Sequence, residues 1–116
     1  MAEQSVLLVS RENNICTLTI NRPERRNALN TEGLIAIGDI LNGLKDDPET
    51  RVVVIRGAGE AAFCSGMDIA SGTQPTGAVG GKENPLQYAK DGITYCPKPV
   101  IAMIYGYALG AGCDIA

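Results

Sequence analysis

An α/β layered fold is predicted by three features of this 116-residue chain. Apolar runs of strand length recur along it: "ICTLTI", "RVVVIRG" and "VIAMIYG". Stretches with helical spacing of apolar residues lie between them. Proline, glycine and asparagine mark the junctions. Strands that alternate with helices bury their apolar faces by stacking as layers.

The elements follow in order. "VLLV" (residues 6–9) and "ICTLTI" (15–20) flank "ENN" and predict a β-hairpin. Within the second strand Cys16, Leu18 and Ile20 share one face. Pro23 ends it, and "RPERRNALN" is an irregular connection. A helix comes next, with Asn30 or Thr31 as its cap and Glu32 suited to its first turn. Leu34, Ile37, Leu41 and Leu44 form its apolar stripe, and Pro48 stops it. The continuous apolar run "RVVVIRG" predicts a strand covered on both faces. "SGTQPTGAVGGKENP" (71–85) is polar and glycine-rich, as surface loops are. A helix is predicted through "PLQYAKDGITYC", bracketed at its end by Pro97 and Pro99. "VIAMIYG" reads as a second buried strand, and a further helix starts near Ala111 or Gly112.

Composition narrows the functional classes. The chain is long enough for one modest domain, and 45% hydrophobic residues make it globular. A net charge of −3 gives no broad basic field for nucleic acid or an anionic membrane, although "RPERR" is a local basic spot. No apolar run reaches the roughly 18–20 residues of a membrane span. "MAEQSVLLVSREN" lacks a basic flank and a small-residue cleavage pattern, so no signal peptide is expected and a cytoplasmic location is. The cysteines at 16, 64, 96 and 113 form no close-spaced pairs and are expected to be reduced thiols, most of them buried. The absence of histidine removes Ser-His and Cys-His catalysis and most zinc sites within the chain, and no metal is expected.

Three glycine-rich turns carry the chemical signal. "GAGEAA" after "RVVVIR" fits the spacing of a dinucleotide fingerprint, but Phe63, Cys64, Ser65 and Gly66 interrupt the long helix such a site needs. A strand-end turn is the better reading. In "AFCSGMD", Cys64 and Ser65 lack a base that would make them nucleophiles. A turn at Gly66 instead leaves the N–H of Met67 free to face a cleft, with Asp68 bracing the turn. In "GYALGAGCDIA", small residues permit close approach of the backbone, and a helix start offers unpaired N–H groups. Close helix–strand packing, with Asp114 as a first-turn acid, explains that stretch equally well. Taken as a pair, the second and third turns each follow a buried strand and each donate one N–H, which makes an oxyanion hole. A carboxylate in the adjoining helix is then suited to proton transfer.

The segments "LTINRPERRNALN", "VVVIRGAGEAAFCSGMDIA" and "KPVIAMIYGYALGAGCDIA" resemble, in order and spacing, the crotonase superfamily, the enoyl-CoA hydratase/isomerase family. The resemblance covers essentially the whole chain. It implies a crotonase-like ββα spiral core, incomplete, with residues 1–116 as the N-terminal part of the domain and the C-terminal part and trimerisation helices absent. It implies an acyl-CoA thioester as substrate, with coenzyme A entering as part of that substrate and no other cofactor. The thioester oxygen would sit between the N–H groups of Met67 and Ala111. Asp114 falls where hydratases of the family carry the first of two catalytic glutamates. Arg25, Ala28, Asp68, Ile69 and Ala70 match positions that line the coenzyme A path. Enoyl-CoA hydration is the activity expected first. An enoyl-CoA isomerase is the alternative within the family, and a non-catalytic acyl-CoA-binding fragment is the alternative outside enzymes. The second family glutamate falls beyond Ala116, so the residues at hand do not separate hydratase from isomerase or hydrolase. The parent is expected to be a homotrimer or a hexamer built as a dimer of trimers, with no nucleic-acid or membrane partner.

Overall fold

The alternating "ICTLTI" and the continuous apolar run "RVVVIRG" set the central sheet. A computed structural model describes residues 6–66, 78–79, 82–110, 112, 115 and 116. Strands β1 (Leu7–Glu12) and β2 (Ile15–Ile20) form an antiparallel hairpin. The turn between them is shorter than "ENN", because Asn13 and Asn14 both take positive φ, 54° and 68°. Two left-handed residues match the twist of a tight hairpin, and asparagine tolerates that region. Glu12 therefore stays in the strand.

Strand β3 (Val52–Gly57) lies parallel to β2 in a register that pairs Cys16 with Val53 and Leu18 with Ile55. All four are fully buried and point to one face. The other face of β3, Val52, Val54 and Arg56, is only half-buried, so the strand is not covered on both sides as expected.

Between these strands, a short 3-10 helix (Pro23–Arg25) leads to α1 (Thr31–Leu44). Asn30 is the cap: its Oδ1 accepts from the Gly33 N–H at 2.9 Å. Such a cap contributes about 1 kcal/mol. The expected stripe is the buried one, with Leu34, Ile37 and Leu41 inaccessible and Leu44 nearly so. Each such side chain contributes about 1.5–3 kcal/mol on burial. The helix ends at Leu44, ahead of Pro48, because a side-chain-braced turn takes over. There Asp47 Oδ1 accepts from the Glu49 N–H (3.0 Å) and Oδ2 from the Thr50 hydroxyl (2.8 Å). These donors, the Glu49 N–H first, hold the Asp47 carboxyl below its ordinary pKa. The folded state favours the charged form, so the turn stabilises the fold above the usual carboxylate range and loses that contribution as pH falls through the depressed pKa. Asp47→Ala is expected to lower Tm at neutral pH, with the difference closing as pH falls below the usual carboxylate range, in thermal melts run across pH.

A short strand β4 (Ala62–Cys64) follows β3. Its presence directly after the 58–61 turn excludes the long helix of a dinucleotide site. Two two-residue strands, β5 (Ala78–Val79) and β6 (Lys82–Glu83), pair within the stretch expected to be loop throughout. Helix α2 (Pro85–Thr94), shorter by two residues than expected, is capped by Asn84, whose Oδ1 accepts from Gln87 N–H at 3.1 Å. It packs on α1 at Gly38, where a Cβ would lie 2.3 Å from the Tyr88 ring. The Tyr88 hydroxyl donates to Asp39 Oδ1 (2.5 Å) and accepts from Asn42 Nδ2 (3.1 Å).

Strand β7 (Val100–Met103) pairs parallel with β3 and completes the sheet in the order β1-β2-β3-β7. It is not the buried strand expected from "VIAMIYG". Ile101 is 51% exposed, and Ile104 and Tyr105 beyond its end are exposed too. The reason is position: β7 is the edge of the sheet, with β3 as its single neighbour among the described residues. Strand β8 (Tyr107–Ala108) leaves this sheet and pairs parallel with β4. No helix among the described residues is long and apolar enough to cross a membrane.

Candidate active site

The β4–β8 pair brings the second and third glycine turns together. Ala62 pairs with Tyr107 and Cys64 with Ala108, and the Leu109 N–H donates to Cys64 O at 3.0 Å. Both strands run the same way, so the turns that follow them leave from the same end. Gly66 has φ +119° and Gly110 φ +52°, both in the region where glycine is favoured. A Cβ placed on Gly110 would lie 3.9 Å from the Gly66 Cα. Two positive-φ turns, 44 residues apart in sequence numbering, thus touch.

Past the second turn the chain enters a helical bend. The Gly112 N–H donates to Leu109 O (2.8 Å) and the Ala116 N–H to Gly112 O (3.1 Å). Gly112 packs directly on β4: a Cβ there would be 2.2 Å from Cys64 O. Glycine at this position is a matter of space, and the expected close helix–strand packing is present. It accompanies the apposed turns rather than replacing them.

The first turn is held from its other side by the connection after β2. The Ser65 N–H donates to Arg26 O (3.1 Å), the Ser65 hydroxyl to Arg25 O (3.3 Å), and the Leu29 N–H to Gly66 O (2.7 Å). Arg25 is exposed at the end of the 3-10 helix. With Pro23, Glu24, Arg26, Ala61 and Ser65 it lines an open cleft of about 490 Å³ beside the first turn. Ala28 does not line that cleft. It is buried, and its carbonyl accepts from Arg22 Nη1 at 2.9 Å. Cys64 lies beneath both turns, fully buried. Burial pushes its thiol pKa up, against weaker lowering by the Gly66 and Leu29 backbone. A thiol held neutral in this way is a packing group, as the lack of a base already indicated. Cys16 is likewise buried and free, and Cys96 is half-buried and free.

Met67, Asp68, Ile69, Ala70, Ala111 and Asp114 lie outside the described residues. Of the expected catalytic and coenzyme A-contacting residues, the structure therefore places Arg25 and Ala28, both within the connection that anchors the first turn. Sequence reasoning missed Asn27 and the Leu29 N–H as parts of this arrangement. The signal for Asn27 was its place between Arg26 and Ala28 in an irregular connection, where asparagine favours left-handed backbone. Among the described residues, no group of three histidine, cysteine, aspartate or glutamate side chains is placed to hold a metal ion.

A family model described as enoyl-CoA hydratase/isomerase matches residues 10–116. The chain belongs to the enoyl-CoA hydratase/isomerase family. Among curated members of that family, the chain is 38% identical to the (E)-benzylidenesuccinyl-CoA hydratase of Thauera aromatica, over 90% of this chain and 41% of that protein. It is 37% identical to the crotonyl-CoA hydratase of Syntrophomonas wolfei, over 100% of this chain and 45% of that protein. Solved structures of the family superpose closely. An enoyl-CoA hydratase/carnithine racemase from Magnetospirillum magneticum matches with a TM-score of 0.84 at 33% identity, over 98% of this chain and 44% of that one. An enoyl-CoA hydratase from Mycobacterium avium subsp. paratuberculosis matches with a TM-score of 0.83 at 31% identity, over 100% and 45%. The fold is thus the crotonase fold, and the chain spans less than half the length of these family members.

Proposed function

We propose that the protein carrying this chain is an enoyl-CoA hydratase. Water adds across the α,β double bond of a 2-enoyl-CoA, through an enolate whose oxygen is held by the N–H groups of Met67 and Ala111. The observation that carries this reading is the contact of the Gly66 and Gly110 turns at one end of the β4–β8 pair. Each turn precedes one of the two donors. The Gly66 carbonyl is anchored by Leu29, and in a trans peptide the following amide hydrogen faces the opposite way. That supports a donor aimed away from the anchoring connection. Two preorganised donors stabilise charge at the place where it develops.

Asp114 serves as the carboxylate that moves a proton to or from the attacking water. Arg25, at the rim of the cleft beside the first turn, suits a coenzyme A phosphate, and Asp68, Ile69 and Ala70 complete the path of the thiol arm; Ala28, buried and with its carbonyl engaged by Arg22, supports that wall from behind. Coenzyme A is part of the substrate, and the reaction as written uses no further cofactor. The share of its relatives that the chain spans supports reading residues 1–116 as one part of the domain, here proposed to be the N-terminal part. A second carboxylate is then supplied by the remainder of the whole protein, which is read as a trimer or a dimer of trimers in the cytoplasm.

The test is turnover by the full-length protein. Crotonyl-CoA is expected to be converted to 3-hydroxybutyryl-CoA, followed by loss of the enoyl thioester absorbance and by mass. Formation of a 2-enoyl-CoA from a 3-enoyl-CoA without hydration would replace this reading by the isomerase. Tight acyl-CoA binding with no turnover of either substrate would replace it by a binding protein.

A further inference from the structure

The buried amide of Asn27 ties the connection after β2 to both ends of β4's approach. Asn27 is 1% exposed, and every polar part of its side chain is engaged. Nδ2 donates to Ala58 O (2.9 Å) and Ala62 O (2.7 Å), and Oδ1 accepts from the Arg22 N–H (3.0 Å). Space for this amide is made by Gly57, where a Cβ would lie 2.6 Å from Nδ2. Asn27 and Arg26 both take left-handed backbone, φ +58° and +51°. Asparagine adopts that region readily, whereas arginine there is strained, so the segment needs external bonds to hold it. Those bonds run in sequence along one seam: Asn27 to residues 58 and 62, Arg26 O from Ser65, and Leu29 to Gly66 O.

We infer that Asn27 is a positioning residue for the oxyanion hole, an inference that rests on the enolate reading above. It touches no reacting atom. It fixes the spacing between the 22–29 connection and β4, which places the Leu29 N–H against the Gly66 carbonyl. That anchor orients the peptide from which the first donor extends. When the amide is lost, the seam opens beside Gly66 and the donor drifts.

Asn27→Asp in the full-length protein isolates this role. The shape and the tolerance for positive φ remain, but a carboxylate oxygen now faces two carbonyl oxygens where an N–H₂ donated. The kcat for crotonyl-CoA is expected to fall about 10- to 10²-fold, the scale of a small misplacement of catalytic groups. A second readout reports the hole directly: the fraction of a bound β-ketoacyl-CoA ionised to its absorbing enolate at fixed pH, expected to fall about tenfold. Leu44→Ala, a core truncation at the far end of α1, is the control; it lowers Tm and leaves the enolate fraction unchanged. If Asn27→Asp does not fold, Asn27→Ser is read in the same way.

A folded Asn27 variant with wild-type kcat and enolate fraction overturns the proposal, as does failure of both variants to fold, which makes the residue a determinant of the fold alone. Met67→Pro, run beside them, separates this inference from the reading beneath it. Loss of activity in Met67→Pro with none in Asn27→Asp rejects the positioning role only. Full activity in both rejects the oxyanion hole itself.

Discussion

Met67→Pro in the full-length protein is expected to lower kcat/KM for crotonyl-CoA hydration by about 10²–10³-fold, the effect of removing one oxyanion donor. The proposed donor is a main-chain N–H, so ordinary side-chain replacement leaves it in place. Met67→Ala is accordingly expected to keep most of the activity. Proline deletes the N–H, and it also restrains the residue before it. That residue is Gly66, whose φ of +119° is part of the turn. Tm and the affinity for a saturated acyl-CoA distinguish the two effects. A lost donor leaves both near wild type while the bound enolate disappears, whereas a collapsed turn lowers all three. Retention of the wild-type rate by a folded Met67→Pro protein would falsify the assignment.

Asp114→Asn is expected to reduce kcat by about 10²–10⁴-fold, the range for a positioned general acid or base. KM should change little if, as proposed, the carboxylate acts on water and not on the coenzyme A moiety. The pH profile should lose the limb that reports a carboxylate. Asp114→Glu, which keeps the carboxylate on a side chain one methylene longer, is expected to retain much of the rate. Asparagine is well suited to a helix start, so a purely structural acid would tolerate the change with unaltered kcat and nearly unaltered Tm. That outcome would remove Asp114 from the mechanism. In an isomerase, the same substitution would abolish conversion of 3-enoyl to 2-enoyl thioester, with no hydration in the parent protein.

Much of the α/β framework was legible in local pattern. Cys16, Leu18 and Ile20 alternate, and that alternation sets which face of β2 is buried. Leu34, Ile37, Leu41 and Leu44 repeat at helical spacing, and Asn30 caps the helix they define. These signals are local because side-chain direction follows from two or four residues of backbone. The family resemblance was legible for a different reason: three glycine and small-residue blocks keep their order and spacing. Less legible was how deeply each strand is covered. "RVVVIRG" and "VIAMIYG" look alike in composition, yet Val53 and Ile55 are buried while Ile101 is half exposed. Burial of a strand depends on how many neighbours it acquires, and among the described residues β3 has two in the sheet where β7 has one.

The candidate site divides along the same line. Glycine content announced turns around Gly66 and Gly110, because tolerance of positive φ is a property of the residue itself. Their contact depended on β4 pairing with β8, two strands of three and two residues that carry almost no periodic signal. Asn27 shows the division most sharply. Its residue type marked a left-handed position, but its partners at 58 and 62 lie more than 30 residues away. Local sequence dictates backbone conformation and the face that is apolar. Which carbonyls a buried amide meets, and which turns share one end of a strand pair, depend on long-range packing that no short window of residues encodes.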